Sequence, residues 1–509
     1  MNKVFSAAIV GLEAELIEVE ADLTSGLRFF SIVGLPDKSV KESQERIAAA
    51  IKNSGAEPPH KQNKRVIINL APADLRKEGS AYDLPIAISF LLSSEQINFD
   101  PRDKVFVGEL ALNGEVRRVN GVLPVCLLAK ERGINTVFVP RANAHEARLI
   151  KDLNIIAIES LAELIGFLEN RIQIEPLNPF EKDFLGELEI SYPIDMAYIK
   201  GQENAKRALE IAASGNHNVL MTGPPGSGKT LLAKAIPSIL PKMTWDEILE
   251  VTKIYSIAGK LSSQKPLISR RPFRSPHHSA SEASLIGGGS FARPGEITLA
   301  HRGVLFVDEF PEVHRDVLES LRQPLEDGMV SVARAKASYI FPARFILVAA
   351  MNPCPCGYYG DPEKECTCNQ NQINKYQRRV SGPIMDRIDL YVEVPHVKYE
   401  KLTDEKIEGS SAEIRQKVEK ARKIQLERFK NDGIITNSEM NIPLIKKHCK
   451  TDEQGDRLLR NAVNNLHMSA RGFHRILKLA RTIADLEESS NITAHYIAEA
   501  LQYRPKTEI

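Results

Sequence analysis

A glycine-rich segment in the middle of the chain constrains the fold more than any other feature. Residues 223–230 read Gly-Pro-Pro-Gly-Ser-Gly-Lys-Thr and match the phosphate-loop pattern G-x-x-x-x-G-K-S/T at every fixed position. Apolar runs at 218–221 and 231–236 predict a strand before the segment and a helix after it. A strand, a loop and a helix in this order predict an α/β fold with a parallel sheet.

The chemistry of this loop predicts that the chain binds a nucleoside triphosphate. Backbone N–H groups of such a loop surround the β-phosphate, and the helix N-terminus adds its partial positive charge. Lys229 is suited to bridge the β- and γ-phosphates, and the Thr230 hydroxyl is suited to hold Mg²⁺. A glycine-rich surface turn is the alternative, and the full pattern in its fitting context argues against it. The predicted nucleotide-binding residues are Gly223, Pro224, Pro225, Gly226, Ser227, Gly228, Lys229 and Thr230.

Two later apolar runs end in polar residues that suit ATP hydrolysis. Residues 303–307 lead into Asp308 and Glu309, and residues 345–351 lead into Asn352. Buried parallel strands present their carboxyl ends to the ligand, so these side chains are predicted to face the nucleotide. Asp308 would support the Mg²⁺ ligands, Glu309 would activate the attacking water, and Asn352 would orient that water or contact the γ-phosphate. The three motifs in this order predict an ATPase.

The order of the three motifs resembles that of AAA+ ATPases, and longer strings narrow the resemblance. Residues 272–278, 294–301 and 381–389 are similar to the YifB/ComM family of magnesium-chelatase-like AAA+ ATPases. The resemblance runs from the first residues almost to the last, and it implies that ATP and Mg²⁺ are bound.

The resemblance also implies how the chain is divided. The fold class is α/β, with a central AAA+ phosphate-loop domain built on a parallel sheet and a C-terminal helical lid. The segment 108–121 resembles the proteolytic domain of Lon, whose fold is that of ribosomal protein S5 domain 2. The predicted parts are a Lon-protease-like domain at 1–170, a linker at 171–190, the ATPase core at 191–398 and the lid at 399–509.

A Lon-like domain raises the alternative of a Ser–Lys peptidase, and the residues argue against it. Aligning the pattern puts Ala81 at the nucleophile position, with Ser80 one place away, and Val125 at the lysine position. A Ser–Lys dyad needs both reactive groups within hydrogen-bond reach. The N-terminal domain is therefore predicted to be structural or to bind a partner.

Two arginines acquire roles only through the family resemblance. Arg387 matches the finger that reaches the γ-phosphate of the neighbouring subunit, and Arg471 matches the lid arginine that meets the nucleotide. An ion pair with Asp386 or Asp389 is the alternative for Arg387. Because a finger requires a neighbour, the resemblance implies a homo-oligomer, a hexameric ring.

Two insertions in the ATPase core suggest nucleic acid as a partner. About eighty residues separate Lys229 from Asp308, more than one helix and one strand require. A second insertion, at 329–341, reads as a hairpin with Arg334 and Lys336 at its tip. The hairpin's position before the Asn352 strand matches the family's pore hairpin, so the resemblance implies that these cations contact a DNA backbone; solvation of an ordinary turn is the alternative. The adjacent His277 and His278 lack a third metal ligand, and packing or interface hydrogen bonding is predicted for them.

Four cysteines form two C-x-C pairs, Cys354 with Cys356 and Cys366 with Cys368. Four thiolates suit a closed tetrahedral Zn²⁺ site, and such a site would stabilise a turn-rich loop that has little to bury. The spacing differs from the usual C-x2-C, so reduced cysteines without a metal stay an equal alternative.

Composition excludes several classes of protein. A chain of 509 residues predicts roughly three domains, and 43% apolar with 26% charged residues is typical of globular protein. The net charge of +1 means that any surface for a polyanion must be local. No apolar stretch reaches the ~18 residues of a membrane span, and the N-terminus lacks a signal peptide. Six cysteines without a secretion signal indicate a reducing compartment, so a cytoplasmic protein without a membrane partner is predicted.

The predicted function is that of a ring-forming ATPase that moves along branched or single-stranded DNA. The resemblance implies branch migration or helicase action in recombination during natural transformation. Two alternatives stay open, a magnesium-chelatase-type motor and a chaperone-like ATPase that remodels proteins through residues 1–170.

Overall fold

The described part of the chain is a mixed α/β protein with two sheet-containing parts followed by a helical part, which confirms the predicted fold class. None of its described helices is both long and apolar enough to cross a membrane. Half of the predicted linker, residues 181–190, and the predicted start of the lid lie outside the described residues. The computed structural model describes residues 3–180, 192–288, 293–333, 338–397, 401, 409–465 and 468–505.

The N-terminal part is built on a seven-stranded mixed sheet. The seven strands of the sheet are β1 (Lys3–Val10), β2 (Glu13–Ser25), β3 (Phe29–Val33), β4 (Lys64–Ala71), β5 (Lys104–Phe106), β8 (Thr136–Pro140) and β9 (Asn154–Ile158). Two short strands, β6 (Glu109–Leu110) and β7 (Val116–Arg117), form a separate small hairpin. Its helices are α1 (Lys38–Asn53), α2 (Asp83–Ser93), α3 (Val122–Glu131), α4 (Ala144–Ala147) and α5 (Leu161–Leu168). The strand order is β3-β4-β2-β1-β5-β8-β9, with β1 and β2 antiparallel and β5, β8 and β9 parallel.

The N-terminal part does not form a Ser–Lys dyad at the position that the Lon resemblance indicates. The Ser80 hydroxyl donates to the Glu109 carboxylate. Val125, at the lysine position, is buried within α3. The Lys77 ammonium donates to two backbone carbonyls, one of them that of Leu75 at 2.8 Å. Among described residues, the serine nearest this position therefore has a carboxylate as its partner and not an amine.

The central part is built on a five-stranded sheet in which every neighbouring pair is parallel. The strands of this part, in the sheet or in hairpins, are β10 (Val219–Thr222), β11 (Phe273–Arg274), β12 (Gly287–Gly288), β13 (Arg293–Pro294), β14 (Val304–Val307), β15 (Met329–Ala333), β16 (Ser338–Pro342), β17 (Ile346–Met351) and β18 (Leu390–Glu393). The order across the sheet is β11-β14-β17-β10-β18. All residues of β14 and β17 are buried, as their continuous apolar sequence predicts for a sheet covered on both faces.

Helices cover this sheet and form the C-terminal part. The helices of the central part are α6 (Glu203–Gly215), α7 (Lys229–Ile239), α8 (Trp245–Ile257), α9 (Glu282–Ile286), α10 (Glu296–Leu299), α11 (Arg315–Ser320), α12 (Arg322–Asp327), α13 (Gln370–Gln377) and α14 (Gly382–Met385). The C-terminal helices are α15 (Ser411–Arg428), α16 (Ile442–His448), α17 (Glu453–Asn465), α18 (Ala470–Leu486) and α19 (Ala494–Gln502). Serine, threonine and asparagine side chains cap the N-termini of several of these helices. At the start of α18, for example, the Ser469 hydroxyl accepts a hydrogen bond from the Gly472 N–H.

Two hairpins project from the central part. β12 pairs with β13 in the first insertion, and β15 pairs with β16 in the second, both antiparallel. The second hairpin is the one predicted from the sequence, and it stands directly before the Asn352 strand β17. Arg334 and Lys336 lie outside the described residues, so their predicted role stays a prediction.

The N-terminal part packs directly against the central part. Glu146 is buried, and its carboxylate accepts hydrogen bonds from the Ser256 hydroxyl on α8 and from the Leu123 N–H at 2.9 Å. Burial raises the pKa of Glu146, and these donors oppose the rise. Leu12, in the turn between β1 and β2, packs against two apolar clusters of the central part. The N-terminal part is thus held by a polar network and by apolar contacts.

Candidate nucleotide-binding site

The strand order of the central sheet brings the three sequence motifs to one edge. β17, which ends before Asn352, lies between β10, which leads into the phosphate loop, and β14, which ends before Asp308. Since all these strands are parallel, their carboxyl ends meet at the same edge of the sheet. Asn352 therefore stands between the phosphate loop and the acidic pair.

The phosphate loop uses glycine where its backbone leaves no room for a side chain. A Cβ atom on Gly223 would lie 2.1 Å from the carbonyl oxygen of Val394. Gly228, which directly precedes α7, has φ +93°, a left-handed conformation that is unfavourable for residues other than glycine. The Gln202 side chain ties the loop to the chain after β18, donating to the carbonyls of Ser227 at 3.2 Å and Pro395 at 2.6 Å.

The Lys229 ammonium lies inside the loop that is predicted to bind phosphate. It donates to the carbonyl oxygens of Gly223 at 2.7 Å and Pro224 at 2.8 Å, and to Asn352 Oδ1 at 3.3 Å. Burial lowers the pKa of Lys229, and the charge of Asp308 opposes the fall. A cation next to the backbone N–H groups of a helix N-terminus is suited to bind a phosphate oxygen.

Thr230 and Asp308 form the part of the site that suits Mg²⁺. The Thr230 hydroxyl donates to Asp308 Oδ2 at 2.9 Å, although the two residues are far apart in the sequence. Hydroxyl and carboxylate oxygens are the donors that Mg²⁺ prefers, and the ion usually keeps waters and phosphate oxygens as its remaining ligands. The two side chains therefore fit the ion that the motif implies.

Glu309 has a partner that the sequence did not predict. Its Oε2 lies 2.8 Å from Nδ1 of His278, in the first insertion, and its backbone is in the left-handed region at φ +50°. The ring of His277 lies against that of His278, with 4.1 Å between centroids. The ring contact agrees with the packing predicted for the histidine pair, whereas the link to Glu309 had no sequence signal. His278 belongs to an irregular segment, and no periodicity indicates where such a segment folds back.

The contact predicts that His278 positions Glu309 for its role as base. His278→Asn should lower ATP turnover by about tenfold to 100-fold, because a carboxylate displaced by about 1 Å loses its alignment with the water. Affinity for ATP should persist, because the Lys229 and Thr230 contacts do not involve His278. Steady-state ATPase and equilibrium nucleotide binding measure the two effects, with the exposed His314→Asn as the control. Turnover equal to or above that of the unmodified protein would contradict the assignment.

Arg387 lies at the opposite edge of the sheet from the phosphate loop. Its carbonyl accepts from the Asn218 side chain at 2.9 Å, and Asn218 directly precedes β10, whereas the loop follows that strand. A four-residue strand spans about 13 Å, so Arg387 is far from the loop of its own chain. Its guanidinium pairs with Glu326, and not with Asp386 or Asp389, the alternative that the sequence suggested.

Arg471 also lies away from the phosphate loop of its own chain. It stands in the first turn of α18, as predicted, but its Nη1 is 3.7 Å from the carboxylate of Asp386, next to Arg387. Its side chain is 64% exposed. The printed contact of Arg471 is with Asp386 and not with the phosphate loop of its own chain, so its role at a nucleotide stays a prediction. The orientation of the lid helices decides this placement, and motif spacing does not encode it.

The four cysteines predicted as a set come together in space. Their sulfur atoms all lie within 4.8 Å of one another, and the loop that carries them follows Asn352 directly. The other two cysteines, Cys126 and Cys449, are buried in separate apolar clusters, as predicted.

Comparisons with known proteins match one family along most of the chain. Family models described as subunit ChlI of Mg-chelatase, magnesium chelatase subunit ChlI, and magnesium chelatase subunit ChlI C-terminal match residues 19–143, 195–402 and 408–504. The chain is 43% identical over 504 residues to competence protein ComM of Haemophilus influenzae, covering 98% of this chain and 97% of that protein. It is 41% identical over 506 residues to the uncharacterized protein YifB of Escherichia coli, covering 99% and 97%. An uncharacterized protein of Mycobacterium tuberculosis is 39% identical over 512 residues, covering 99% and 98%.

Proposed function

The chain belongs to the magnesium-chelatase-like family that includes ComM and YifB, and from that premise we propose that it is a ring-forming ATPase that moves along DNA. Its proposed role is branch migration of recombination intermediates during natural transformation. The competence role named for the ComM relative supports the pathway, and the positions of Arg387 and the β15–β16 hairpin support the mechanism.

ATP hydrolysis is proposed to use side chains from three neighbouring strands. Lys229 holds the β- and γ-phosphates, and Asn352, 3.3 Å from that ammonium, orients the γ-phosphate or the attacking water. Glu309 accepts the proton of that water while His278 holds its carboxylate. Mg²⁺, when bound at Thr230 and Asp308, would neutralise charge on the phosphates.

The proposal of a ring rests on one observation: Arg387 lies far from the phosphate loop of its own chain. Arg387 and Arg471 lie together at the amino-terminal edge of the sheet, whereas Lys229 lies at the carboxyl-terminal edge. A head-to-tail interface would bring the arginine edge of one subunit to the phosphate-loop edge of the next. Arg387 would then exchange Glu326 for the γ-phosphate of the neighbour. The hexamer is proposed from the family resemblance.

DNA is proposed to contact the β15–β16 hairpin. The double substitution Arg334→Ala, Lys336→Ala should weaken DNA binding without preference for sequence, because phosphate contacts carry no sequence information. The slope of log affinity against log salt should decrease by about two charge equivalents, and basal ATPase should persist while its stimulation by DNA is lost. A salt series of DNA affinities, with ATPase measured with and without DNA, tests both effects. The exposed pair Arg102→Ala, Lys130→Ala is the control; an unchanged slope with intact stimulation would leave the hairpin as ordinary surface.

One ATPase experiment separates the proposal from its two alternatives. The proposed motor should be stimulated by forked or three-stranded DNA. A chaperone-like remodeller would be stimulated by unfolded protein, and a magnesium-chelatase-type motor would require the porphyrin-binding partner of that enzyme. Stimulation by protein or by that partner, with no response to DNA, would reject the proposed substrate while leaving the ATPase site intact.

A further inference from the structure

The four-cysteine cluster has the dimensions of a tetrathiolate metal site. The sulfur of Cys354 lies 3.3 Å from that of Cys356 and 3.7 Å from that of Cys366, and Cys356 and Cys366 are 3.5 Å apart. Four sulfurs bound to zinc at about 2.3 Å form a tetrahedron with edges of about 3.8 Å. A disulfide would instead bring two of these sulfurs to about 2.05 Å. All four cysteines are free thiols, and their sulfurs lie within 4.8 Å of one another, close enough to share one zinc ion.

A backbone N–H group also contacts one of these sulfurs. The Cys356 N–H donates to the Cys368 sulfur, with 3.4 Å between nitrogen and sulfur. Donors of this kind orient the ligands of a metal and balance the negative charge of the thiolates.

The cysteine loop packs against two components of the nucleotide site. Cys354 is fully buried and lies two residues beyond Asn352. Gly357 has φ +89°, and a Cβ atom there would lie 2.5 Å from Cδ of Pro225 in the phosphate loop. The Gln377 side chain, from α13, donates to the carbonyl of Pro353 at 3.1 Å. The start of the loop is thus held against Pro225 of the phosphate loop and against Gln377 at the end of the following helix.

The loop has no regular secondary structure. No helix or strand lies between the end of β17 and the start of α13, a segment that is fully described. Turns and the pairing of Asp361 with His396 contribute to its shape, and a link between the two C-x-C pairs would join its first half to its second.

We propose that Cys354, Cys356, Cys366 and Cys368 bind a structural zinc ion, and that this ion holds the loop against Pro225 and Asn352. Four protein sulfurs complete the tetrahedron, so the ion has no open position for water or substrate. Each thiol gives up its proton on binding, and no redox change occurs. The site is separate from the proposed DNA contact and from the Mg²⁺ at Thr230 and Asp308.

Metal analysis of the full-length protein, purified without a metal-affinity tag, tests the first half of the proposal. Elemental analysis by mass spectrometry should find about one zinc ion per chain. The double substitution Cys356→Ser, Cys368→Ser should reduce this to about none, whereas Cys126→Ala, Cys449→Ala should keep it. Wild-type protein with no zinc, with iron in its place, or with disulfides among these four cysteines would overturn the assignment.

Nucleotide binding tests the second half. Loss of zinc should weaken the binding of a fluorescent ATP analogue and lower turnover by about tenfold or more, because Asn352 and the phosphate loop lose their support. If the cysteine variant does not fold, release of zinc from the folded wild type by a mercurial reagent provides the same comparison. Unchanged analogue affinity after complete zinc loss would overturn the coupling to the phosphate loop. None of these measurements involves DNA, so their outcome is independent of the proposed motor activity.

Discussion

Replacing Glu309 by glutamine should abolish ATP turnover while ATP binding persists. An amide cannot accept the proton of the attacking water, and losing a general base costs about 100-fold to 10,000-fold in rate. Lys229, Thr230 and Asp308 keep their mutual contacts in this variant, so the phosphates and Mg²⁺ should still be held. Steady-state ATPase measures the first effect, and equilibrium binding of a labelled ATP analogue measures the second.

A matched substitution controls for the loss of one negative charge near the site. Glu312 lies three residues beyond Glu309 and pairs with Arg379 at 2.5 Å, so Glu312→Gln changes charge without changing the proposed base. That variant should retain turnover. If Glu309→Gln also retains turnover, Glu309 is not the base.

Replacing Arg387 by alanine should produce the second large loss. A finger that stabilises charge on the transferred phosphoryl group contributes about 1,000-fold or more to turnover. Because Arg387 lies at the sheet edge opposite its own phosphate loop, the loss should be felt by the neighbouring subunit. ATPase of the purified variant should therefore approach that of Lys229→Ala, while its own phosphate loop still binds ATP.

Mixing the two inactive variants separates a finger acting between subunits from a residue that only supports folding. In rings formed from equal amounts, about a quarter of the interfaces pair an intact arginine with an intact phosphate loop, and these should regain activity. The control is Arg102→Ala, an exposed arginine of the N-terminal part, which should be active alone. Mixed rings that never regain activity would leave Arg387 without its proposed role.

Much of the central fold could be predicted because its signals are local. β10, β14 and β17 are short continuous apolar runs, and the residues that follow them carry the motifs. The N-terminal sheet has weaker signals in the sequence. β2, with 13 residues, is the longest described strand, and the sequence analysis predicts no strand there. Apolar residues alternate with Glu13, Glu15, Glu18 and Glu20, but the adjacent Leu16 and Ile17 break the alternation and glutamate is depleted in strands, so the signal is weak.

The parts of the site that could not be predicted depend on how distant segments fold back. The phosphate loop, Asp308 and Asn352 follow from strand ends, which the sheet brings together for any sequence of this type. The contact of His278 with Glu309 and the placement of Arg471 beside Asp386 arise from an irregular insertion and from the lid orientation. Neither has a period or a spacing that would indicate it. The pairing of Gly357 with Pro225 likewise depends on two loops that meet only in the folded chain.

The most direct test of the account is ATP-driven movement of a DNA branch by the full-length protein. A three-stranded substrate with one labelled strand would be incubated with protein, Mg²⁺ and ATP, and strand release would be followed on a native gel. Release should require ATP hydrolysis, so Glu309→Gln, which is expected still to bind ATP, should release nothing. ATP hydrolysis by the wild type without any strand movement on forked or three-stranded DNA, under conditions where it binds that DNA, would contradict the proposed motor activity.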